Sequence, residues 1–244
     1  MTTPVLSMAN VTSGYRGIPA IRDISFEVLP GEIVAILGAN GAGKSTTLLT
    51  LAGVLTPISG AVEALGAPVA GGKPHLVSRR GVCLVPDNRA VLSGLTVREN
   101  LAVALSRATA RKSTEVALDL FPPRRKTLDI RAGRLSGGEQ QMLAVGRALS
   151  REAKAILIDE MSMGLAPVVA QSLAPPVRRA ATELGVGVLL VEQHTDLALD
   201  IADRAIVLSH GEIRLAGSAA ELGKRRDLLE ASYLGEVDPA AIGE

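Results

Sequence analysis

The sequence predicts an α/β fold with a mainly parallel central sheet, an antiparallel β subdomain and a helical subdomain. Three short, continuous apolar runs, at 33–37, 155–158 and 186–191, are separated by longer stretches with helical patterns. Runs of this kind, joined by helices, are typical of strands that are buried on both faces of a parallel sheet. In contrast, apolar and polar residues alternate within 5–28, and no strand-like run interrupts the stretch from about 90 to 151.

The N-terminal segment predicts the antiparallel part. Ile24-Ser25-Phe26-Glu27-Val28 alternates between apolar and polar side chains, as in a strand with one buried face. Tyr15 stands in Ser-Gly-Tyr-Arg-Gly, which predicts a loop, and it is one of four aromatic residues in the chain. By itself it is an ordinary amphipathic surface tyrosine.

The next segment carries a phosphate-binding motif, or P-loop. Residues 38–45 read Gly-Ala-Asn-Gly-Ala-Gly-Lys-Ser and fit G-x-x-x-x-G-K-[ST], between a predicted strand and a helical pattern at 46–55. Glycines let backbone N–H groups turn toward an anion, and the helix directs its positive end to the same place. Lys44 supplies a charge for the β- and γ-phosphates of a nucleotide, and Ser45 supplies a hydroxyl for Mg²⁺. The predicted nucleotide contacts are Gly38, Ala39, Asn40, Gly41, Ala42, Gly43, Lys44, Ser45 and Thr46.

The middle of the chain changes from turns to helices. Residues 57–80 are rich in Gly and Pro and predict turns with short strands. Gly81–Val85 predicts a buried strand, which Pro86-Asp87-Asn88-Arg89 ends. Thr96-Val97-Arg98-Glu99 is a capping-box pattern that should start a helix, and the chain then reads mainly helical to about 151, with Pro122-Pro123 interrupting it.

Helix and strand signals alternate in the last third. Ser136-Gly137-Gly138-Glu139 fits a capping box that opens a helix at 140–150, and 218–221 fits another. A helix should follow Pro167, and Pro175-Pro176 must kink or break it, because two backbone donors are lost. Two short runs flank His210-Gly211 and predict a hairpin.

Composition limits the class of protein. With 244 residues, of which 47% are hydrophobic, we expect one domain at 1–236, its helical subdomain at about 90–151, and a loosely ordered tail at 237–244. The net charge of +1 argues neither for nor against nucleic acid, but the basic clusters are short and lack interleaved aromatic residues, so we expect no nucleic-acid partner. No apolar run approaches the ~18 residues of a transmembrane helix, and the N-terminus lacks a signal-peptide pattern. Cys83, in an apolar run, is predicted to be a small core residue.

Three further stretches point to one family. Residues 135–141 read Leu-Ser-Gly-Gly-Glu-Gln-Gln and resemble the signature motif of ATP-binding cassette (ABC) ATPases. Residues 155–160 read Ala-Ile-Leu-Ile-Asp-Glu and resemble the Walker B strand of that family, followed by its catalytic glutamate. His194 follows the next predicted strand, where the family has its switch histidine. The order and spacing match, and the resemblance covers essentially the whole chain.

The resemblance implies a role for each of these residues. Tyr15 would stack on adenine, and Asp159 would hold Mg²⁺ through its water shell. Glu160 would orient and polarise the attacking water, while Lys44 binds the β- and γ-phosphates. His194 would bond to the γ-phosphate.

The signature motif implies a second subunit. Ser136, Gly137 and Gly138 open a helix, which is an anion site by the same physics as the P-loop. They would contact the γ-phosphate that is bound to a different ATPase subunit. One chain therefore carries two half-sites, and hydrolysis needs a head-to-tail pair, with a second copy or with a related subunit.

Four stretches are similar to the ATPase subunits of branched-chain amino acid importers, the LivF type: 85–89, 164–167, 191–193 and 232–235. Three residues depart from common family patterns. Asp87, which we place among the Mg²⁺ ligands, stands where Gln is common and LivF-type proteins often have Glu. Met161 replaces the usual Pro, and Ala166 replaces an Asp that many ABC ATPases carry. These departures concern rate and coupling more than ATP binding.

The sequence thus indicates an ATP-binding and hydrolysing subunit of an importer for branched-chain amino acids or similar small polar solutes. The implied partners are transmembrane permease subunits, a second ABC ATPase subunit and a separate solute-binding protein, with the chain peripheral on the cytoplasmic face of the membrane. Urea or amide uptake is an alternative, as is a soluble ABC ATPase acting on DNA or ribosomes, although this chain lacks the coiled coil or second cassette usual there. A P-loop GTPase or kinase would leave the signature motif unexplained.

Overall fold

The computed structural model describes residues 2–103, 105, 107–121 and 127–234. In chain order the strands are β1 (Leu6–Tyr15), β2 (Ile18–Val28), β3 (Ile33–Leu37), β4 (Ser59–Ala64), β5 (Ala67–Pro68), β6 (Val82–Val85), β7 (Ala155–Asp159), β8 (Gly187–Glu192), β9 (Arg204–Ser209) and β10 (Glu212–Ser218). The helices are α1 (Lys44–Leu51), α2 (Pro74–Arg80), α3 (Val97–Ala102), α4 (Arg107–Leu120), α5 (Gly137–Leu149), α6 (Pro167–Leu184), α7 (Thr195–Ile201), α8 (Ala219–Lys224) and α9 (Arg226–Leu234).

A six-stranded sheet forms the centre of the molecule, in the order β10-β9-β3-β8-β7-β6. Strands β9, β3, β8, β7 and β6 are parallel, and only the edge strand β10 pairs antiparallel. The predicted α/β class with a mainly parallel sheet is confirmed. The His210-Gly211 hairpin between β9 and β10 is confirmed as well, because both turn residues have positive φ, as a two-residue turn requires.

The central sheet is buried on both faces, as its continuous apolar runs predict. Ile33, Ala35 and Leu37 of β3 pack into a core that contains residues of helices α5, α6 and α7. Val34 and Ile36 point the other way, into a core shared with α1 and the N-terminal strands. Successive side chains of a strand face opposite sides, so each strand serves both cores.

The N-terminal strands form a second, antiparallel sheet in the order β2-β1-β4-β5. The loop predicted around Tyr15 is wrong: Tyr15 is the last residue of β1 and pairs with Ile18 of β2. Arg16 and Gly17 have φ of 53° and 80°, so two residues are enough for the turn, and the strands continue up to it.

The described residues between β6 and β7 are mainly helical from Val97 onward, as predicted. Both capping boxes form, at Thr96 with Glu99 and at Ser136 with Glu139. A small separate core joins α3, α4 and α5 through Val97, Leu101, Ala117, Ala132, Leu135 and Leu143. The predicted interruption at Pro122-Pro123 lies outside the described residues.

The sequence predicted a kink or a break at Pro175-Pro176, and the break does not occur, because helix α6 runs from Pro167 to Leu184. The carbonyls that lose their i+4 donors are those of Gln171 and Ser172, which are exposed and can bond to water instead. The buried side chains of Leu173 and Val177 hold the helix on the sheet on either side of the prolines.

Three further expectations have mixed outcomes. Helix α2, with Pro74 in its first turn, was not expected in a stretch rich in turns. Cys83 is only partly buried and packs at the margin of the core, and its burial raises the pKa of the thiol. The expected tail at 237–244 lies outside the described residues. Among the residues that are described, no helix is long and apolar enough to cross a membrane.

Candidate nucleotide site

The predicted site residues lie at one edge of the central sheet. The P-loop follows β3, Asp159 ends β7 and Glu160 follows it, Glu192 ends β8, and Asp87 comes two residues after β6. These strands are parallel, so their carboxyl ends meet at the same edge, which is where ligands bind in open α/β sheets.

The P-loop connects β3 to α1 through three glycines in conformations that other residues rarely adopt. Gly38, Gly41 and Gly43 have φ of 155°, 81° and 105°. A Cβ on Gly43 would lie 2.5 Å from a methyl of Ile21, whereas a Cβ on Gly41 would meet nothing within 4 Å. Gly43 is therefore required by packing as well as by backbone conformation.

Lys44 is buried in the mouth of this loop. Its exposed fraction is 5%, and its Nζ donates to the carbonyls of Gly38 at 2.8 Å and Ala39 at 3.0 Å. Burial lowers the pKa of Lys44, while the negative charges of Glu160, Asp159 and Glu192 oppose that effect. The loop thus presents a partly desolvated cation, which is suited to bind phosphate oxygens.

Ser45 and Asp159, two of the residues expected to bind Mg²⁺, lie next to each other. The Ser45 hydroxyl donates to Asp159 Oδ1 at 3.3 Å, across the edge between α1 and β7. Burial raises the pKa of Asp159 to about 6, with the negative charges of Asp87 and Glu160 contributing in the same direction. The hydrogen bond from Ser45 and the positive charge of Lys44 act in the opposite direction but do not outweigh burial. A buried carboxylate next to a hydroxyl fits a site for a hard cation with oxygen ligands.

Asp87 is close enough to Asp159 to influence it electrostatically, although its side chain is exposed. Its Oδ1 accepts from the Asn88 backbone at 2.7 Å. Arg89 and Ala90 follow with φ of 65° and 46°. The loop after β6 thus reverses sharply beside the site.

Glu160 is anchored to the neighbouring strand. Its backbone has a positive φ of 50°, and its N–H donates to the Val191 carbonyl of β8 at 2.9 Å. Its carboxylate accepts a hydrogen bond from the side-chain amide of Gln193. The partly exposed carboxylate therefore has a defined neighbour, which the sequence did not identify.

His194 belongs to a different contact. Its Nδ1 lies 2.8 Å from the Ser162 hydroxyl, and that hydroxyl donates to Glu192 Oε2 at 2.7 Å. The hydroxyl has one proton, so Nδ1 carries the proton of the His194–Ser162 bond, which leaves Nε2 for another partner. Glu192 is 1% exposed and also accepts from the Ser162 backbone, and its burial raises the pKa of its carboxyl.

Sequence reasoning missed Glu192, Ser162 and Gln193. Two signals were available. All three residues lie within three residues of the ends of β7 and β8, and Glu192 and Gln193 belong to the stretch 191–193 that resembles LivF-type subunits.

The signature motif forms the N-terminus of α5. Ser136 is the N-cap: its hydroxyl accepts from the Glu139 N–H at 3.3 Å, and Glu139 Oε2 accepts from the Ser136 N–H at 2.9 Å. Gly137 and Gly138 supply the first turn, and the Arg89 guanidinium lies beside Gly137. The helix end therefore has a positive dipole and an adjacent cation, which together favour an anion.

Tyr15 is half exposed at the tip of the β1–β2 hairpin, beside the 73%-exposed Ile18. Strand β2 packs against the P-loop, because Ile21 approaches Gly43. The tip thus offers an apolar surface on the side of the protein that carries the P-loop.

Comparison with known proteins identifies the class to which this fold and site belong. The family model of ABC transporters matches residues 21–163. The chain is 42% identical to the high-affinity branched-chain amino acid transport ATP-binding protein BraG of Pseudomonas aeruginosa, over 95% of this chain and 100% of that protein. It is 33% identical to the probable branched-chain amino acid transport ATP-binding protein LivF of Archaeoglobus fulgidus, over 96% and 100% respectively.

Among solved structures, the crystal structure of the ADP conformation of an ATP-binding cassette of an ABC transporter aligns over 100% of both chains, with a TM-score of 0.84 and 25% identity. The chain belongs to the ABC transporter family. It is an ATP-binding subunit of the LivF-like type, and its activity is ATP hydrolysis.

Proposed function

We propose that this chain powers the uptake of branched-chain amino acids through a membrane permease. The observation that carries this proposal is the 42% identity to BraG over the whole length of that protein. The alternatives are urea or amide uptake by the same ATPase, and a soluble ABC ATPase without a permease.

In the proposed reaction the P-loop backbone and Lys44 hold the β- and γ-phosphates of ATP. Glu160 orients a water molecule, whose oxygen attacks the γ-phosphorus while the bond to ADP breaks. His194 faces the γ-phosphate with Nε2, the ring nitrogen that Ser162 does not use. Because Nδ1 already carries a proton, Nε2 donates to a phosphate oxygen only when the ring is an imidazolium. Tyr15 stacks on adenine.

Ser45 and Asp159 would hold Mg²⁺, with Asp87 nearby, and this small set is sufficient. Mg²⁺ is usually bound by one or two carboxylates together with the phosphates of the substrate, rather than by a full cage of protein ligands. Accordingly, no group of three or more His, Cys, Asp or Glu residues gathers for a metal in the described part of the chain. Mg²⁺ would neutralise part of the negative charge of the phosphates.

The second half-site is the α5 N-terminus. Ser136, Gly137 and Gly138 would face the γ-phosphate that is bound to a second ABC ATPase subunit, either another copy or a related chain. The exposed helix dipole and Arg89 support this arrangement. We assign the helical subdomain to about 90–151 within a single domain at 1–236, because α3, α4 and α5 have their own small core.

Arginines beside the Asp87 loop support a permease contact there. Arg147 donates to the Ala90 carbonyl at 2.8 Å, and burial together with the charge of Arg151 lowers the pKa of Arg147. The buried Nε of Arg151 has no hydrogen-bond partner. Within the described ranges neither arginine forms an ion pair. An acidic side chain of a permease loop would supply a counter-charge for both arginines, with the chain on the cytoplasmic face and a solute-binding protein outside.

Reconstitution tests the proposal. The chain, its second ATPase subunit and the permease subunits that copurify with it are placed in vesicles with a binding protein, and uptake of leucine, valine, isoleucine and urea is measured with and without ATP. We expect ATP-dependent uptake of the three amino acids. Lys44→Ala should abolish it, whereas Lys154→Ala, at the opposite edge of the sheet, should not. Uptake of urea alone would show that urea, and not branched-chain amino acids, is the substrate. Copurification with nucleic acid instead of a permease would refute the transport role.

A further inference from the structure

The carboxylate of Glu160 has one side-chain partner in the described structure near the end of β8, and that partner is Gln193. The amide Nε2 of Gln193 donates to Glu160 Oε1. An ionised carboxylate only accepts hydrogen bonds, so the amide must present its nitrogen to it. The next residue, His194, contacts Ser162 instead.

Backbone geometry makes this contact precise. Strands β7 and β8 are neighbours, with Asp159 opposite Val191, and the Glu160 N–H bonds to the Val191 carbonyl. The backbone of Glu160 is thus fixed to β8 in a left-handed conformation that non-glycine residues seldom adopt. The backbone contact with β8 therefore fixes the position of the Glu160 main chain, and the amide of Gln193 fixes the position of the Glu160 carboxylate.

Gln193 is exposed in the short connection between β8 and α7. Its replacement leaves no cavity and no buried group without a partner, so its side chain is not needed for folding. The orientation of Glu160, however, is needed for hydrolysis, because a carboxylate that turns away cannot align the attacking water.

We propose that Gln193 is a positioning residue for ATP hydrolysis: its amide holds Oε1 of Glu160 so that Oε2 is directed to the attacking water. This inference rests on the proposed role of Glu160 as the residue that orients water. Gln193 acts on the chemical step and not on ATP binding, which belongs to the P-loop.

Gln193→Met tests this inference, since methionine has a similar length and no N–H donor. We expect kcat to fall about 10- to 100-fold, as for other small errors in the orientation of a reacting group. KM for ATP and the melting temperature should stay the same. Gln193→His, which restores an N–H donor, should recover part of the loss. Gln171→Met is the matched control and should keep wild-type kcat, because Gln171, on α6, is also exposed and lines the same surface groove as Gln193.

A double-mutant cycle separates positioning from an independent effect. Glu160→Ala removes the group that Gln193 orients, so adding Gln193→Met to Glu160→Ala should slow single-turnover hydrolysis no further. A wild-type kcat in Gln193→Met, equal losses in both backgrounds, or a loss explained by a lower melting temperature would each overturn the inference. Normal hydrolysis by Glu160→Ala would instead overturn the proposed role of Glu160 itself.

Discussion

Two capping boxes of nearly the same geometry allow a matched test of the signature motif. Thr96 and Ser136 each accept from the N–H three residues later, at 3.2 and 3.3 Å. Glu99 and Glu139 each accept from the N-cap N–H, at 2.7 and 2.9 Å. Only Ser136 is proposed to face the nucleotide of a second subunit. Replacing either N-cap by alanine should therefore have the same effect on folding and different effects on pairing.

The effect on folding follows from the lost cap. Ser136→Ala and Thr96→Ala should each cost about 1 kcal/mol of stability. For a domain of this size that cost lowers the melting temperature by roughly 2–4 °C. Both variants should stay folded at room temperature, so that pairing can be compared directly.

The effect on pairing follows from a lost hydrogen bond to phosphate. A hydrogen bond to a charged group contributes about 1.5–3 kcal/mol, which corresponds to a roughly 10- to 100-fold change in affinity. The assay uses a Glu160→Gln background, in which ATP binds but is hydrolysed slowly, and measures the ATP-dependent increase in molecular mass by light scattering, with the chain alone and with its partner subunit.

Ser136→Ala should weaken the ATP-trapped pair by that factor, and Ser136→Arg should abolish it, while ATP still binds through the P-loop. Thr96→Ala should pair like its parent. If the two alanine variants pair equally well, then Ser136 is only a helix cap and the signature interpretation is wrong.

Four further predictions follow from the site. Tyr15→Ala should weaken binding of ATP by about 1–3 kcal/mol but leave binding of inorganic triphosphate unchanged; equal losses would mean that Tyr15 does not contact adenine. Asp87→Ala should reduce transport in vesicles at least as much as basal ATP hydrolysis, and normal transport would exclude a coupling role for its loop. Gly41→Ala should lower the free energy of unfolding by about 1–2 kcal/mol, because alanine is strained in the left-handed backbone conformation. Gly43→Ala should lower it further, because its Cβ also meets Ile21; equal urea midpoints for the two variants would contradict the packing argument. The raised pKa of Asp159, about 6 against 3.8, means that its ionisation destabilises the folded chain as pH rises from about 4 through 6. Without Mg²⁺, the free energy of unfolding of Asp159→Asn should therefore be about 1–3 kcal/mol higher than that of wild type at pH 8. The difference should vanish near pH 4, and thermal melts at the two pH values measure it.

Local signals in the sequence were sufficient for much of the fold. Continuous apolar runs predicted β3, β7 and β8, because a strand that is buried on both faces has no polar side to reveal. The capping boxes at Thr96 and Ser136 predicted two helix starts from four residues each. The P-loop motif predicted a strand, an anion site and a helix in order. Its glycines and Lys44 bind an anion together, and they are close to one another in the sequence.

Other features depended on longer-range packing. The sequence indicated a kink or a break at Pro175-Pro176, yet α6 continues through both prolines, because its apolar face is held on the sheet and the freed carbonyls face water. A loop was expected at Tyr15, yet the pairing of β1 with β2 extends to the two-residue turn.

The arrangement around Glu160 required the tertiary structure. Strand β8 lies between β3 and β7 in the sheet, although α6 separates it from β7 in the chain. That order brings Gln193 to Glu160 and Glu192 to Ser162, across 33 and 30 residues of sequence. The sequence by itself determined which residues carry charge at strand ends, since that is a local property. Which of those residues touch was decided only by the order of the strands, because strand order depends on the packing of two whole cores and is not encoded in any short segment.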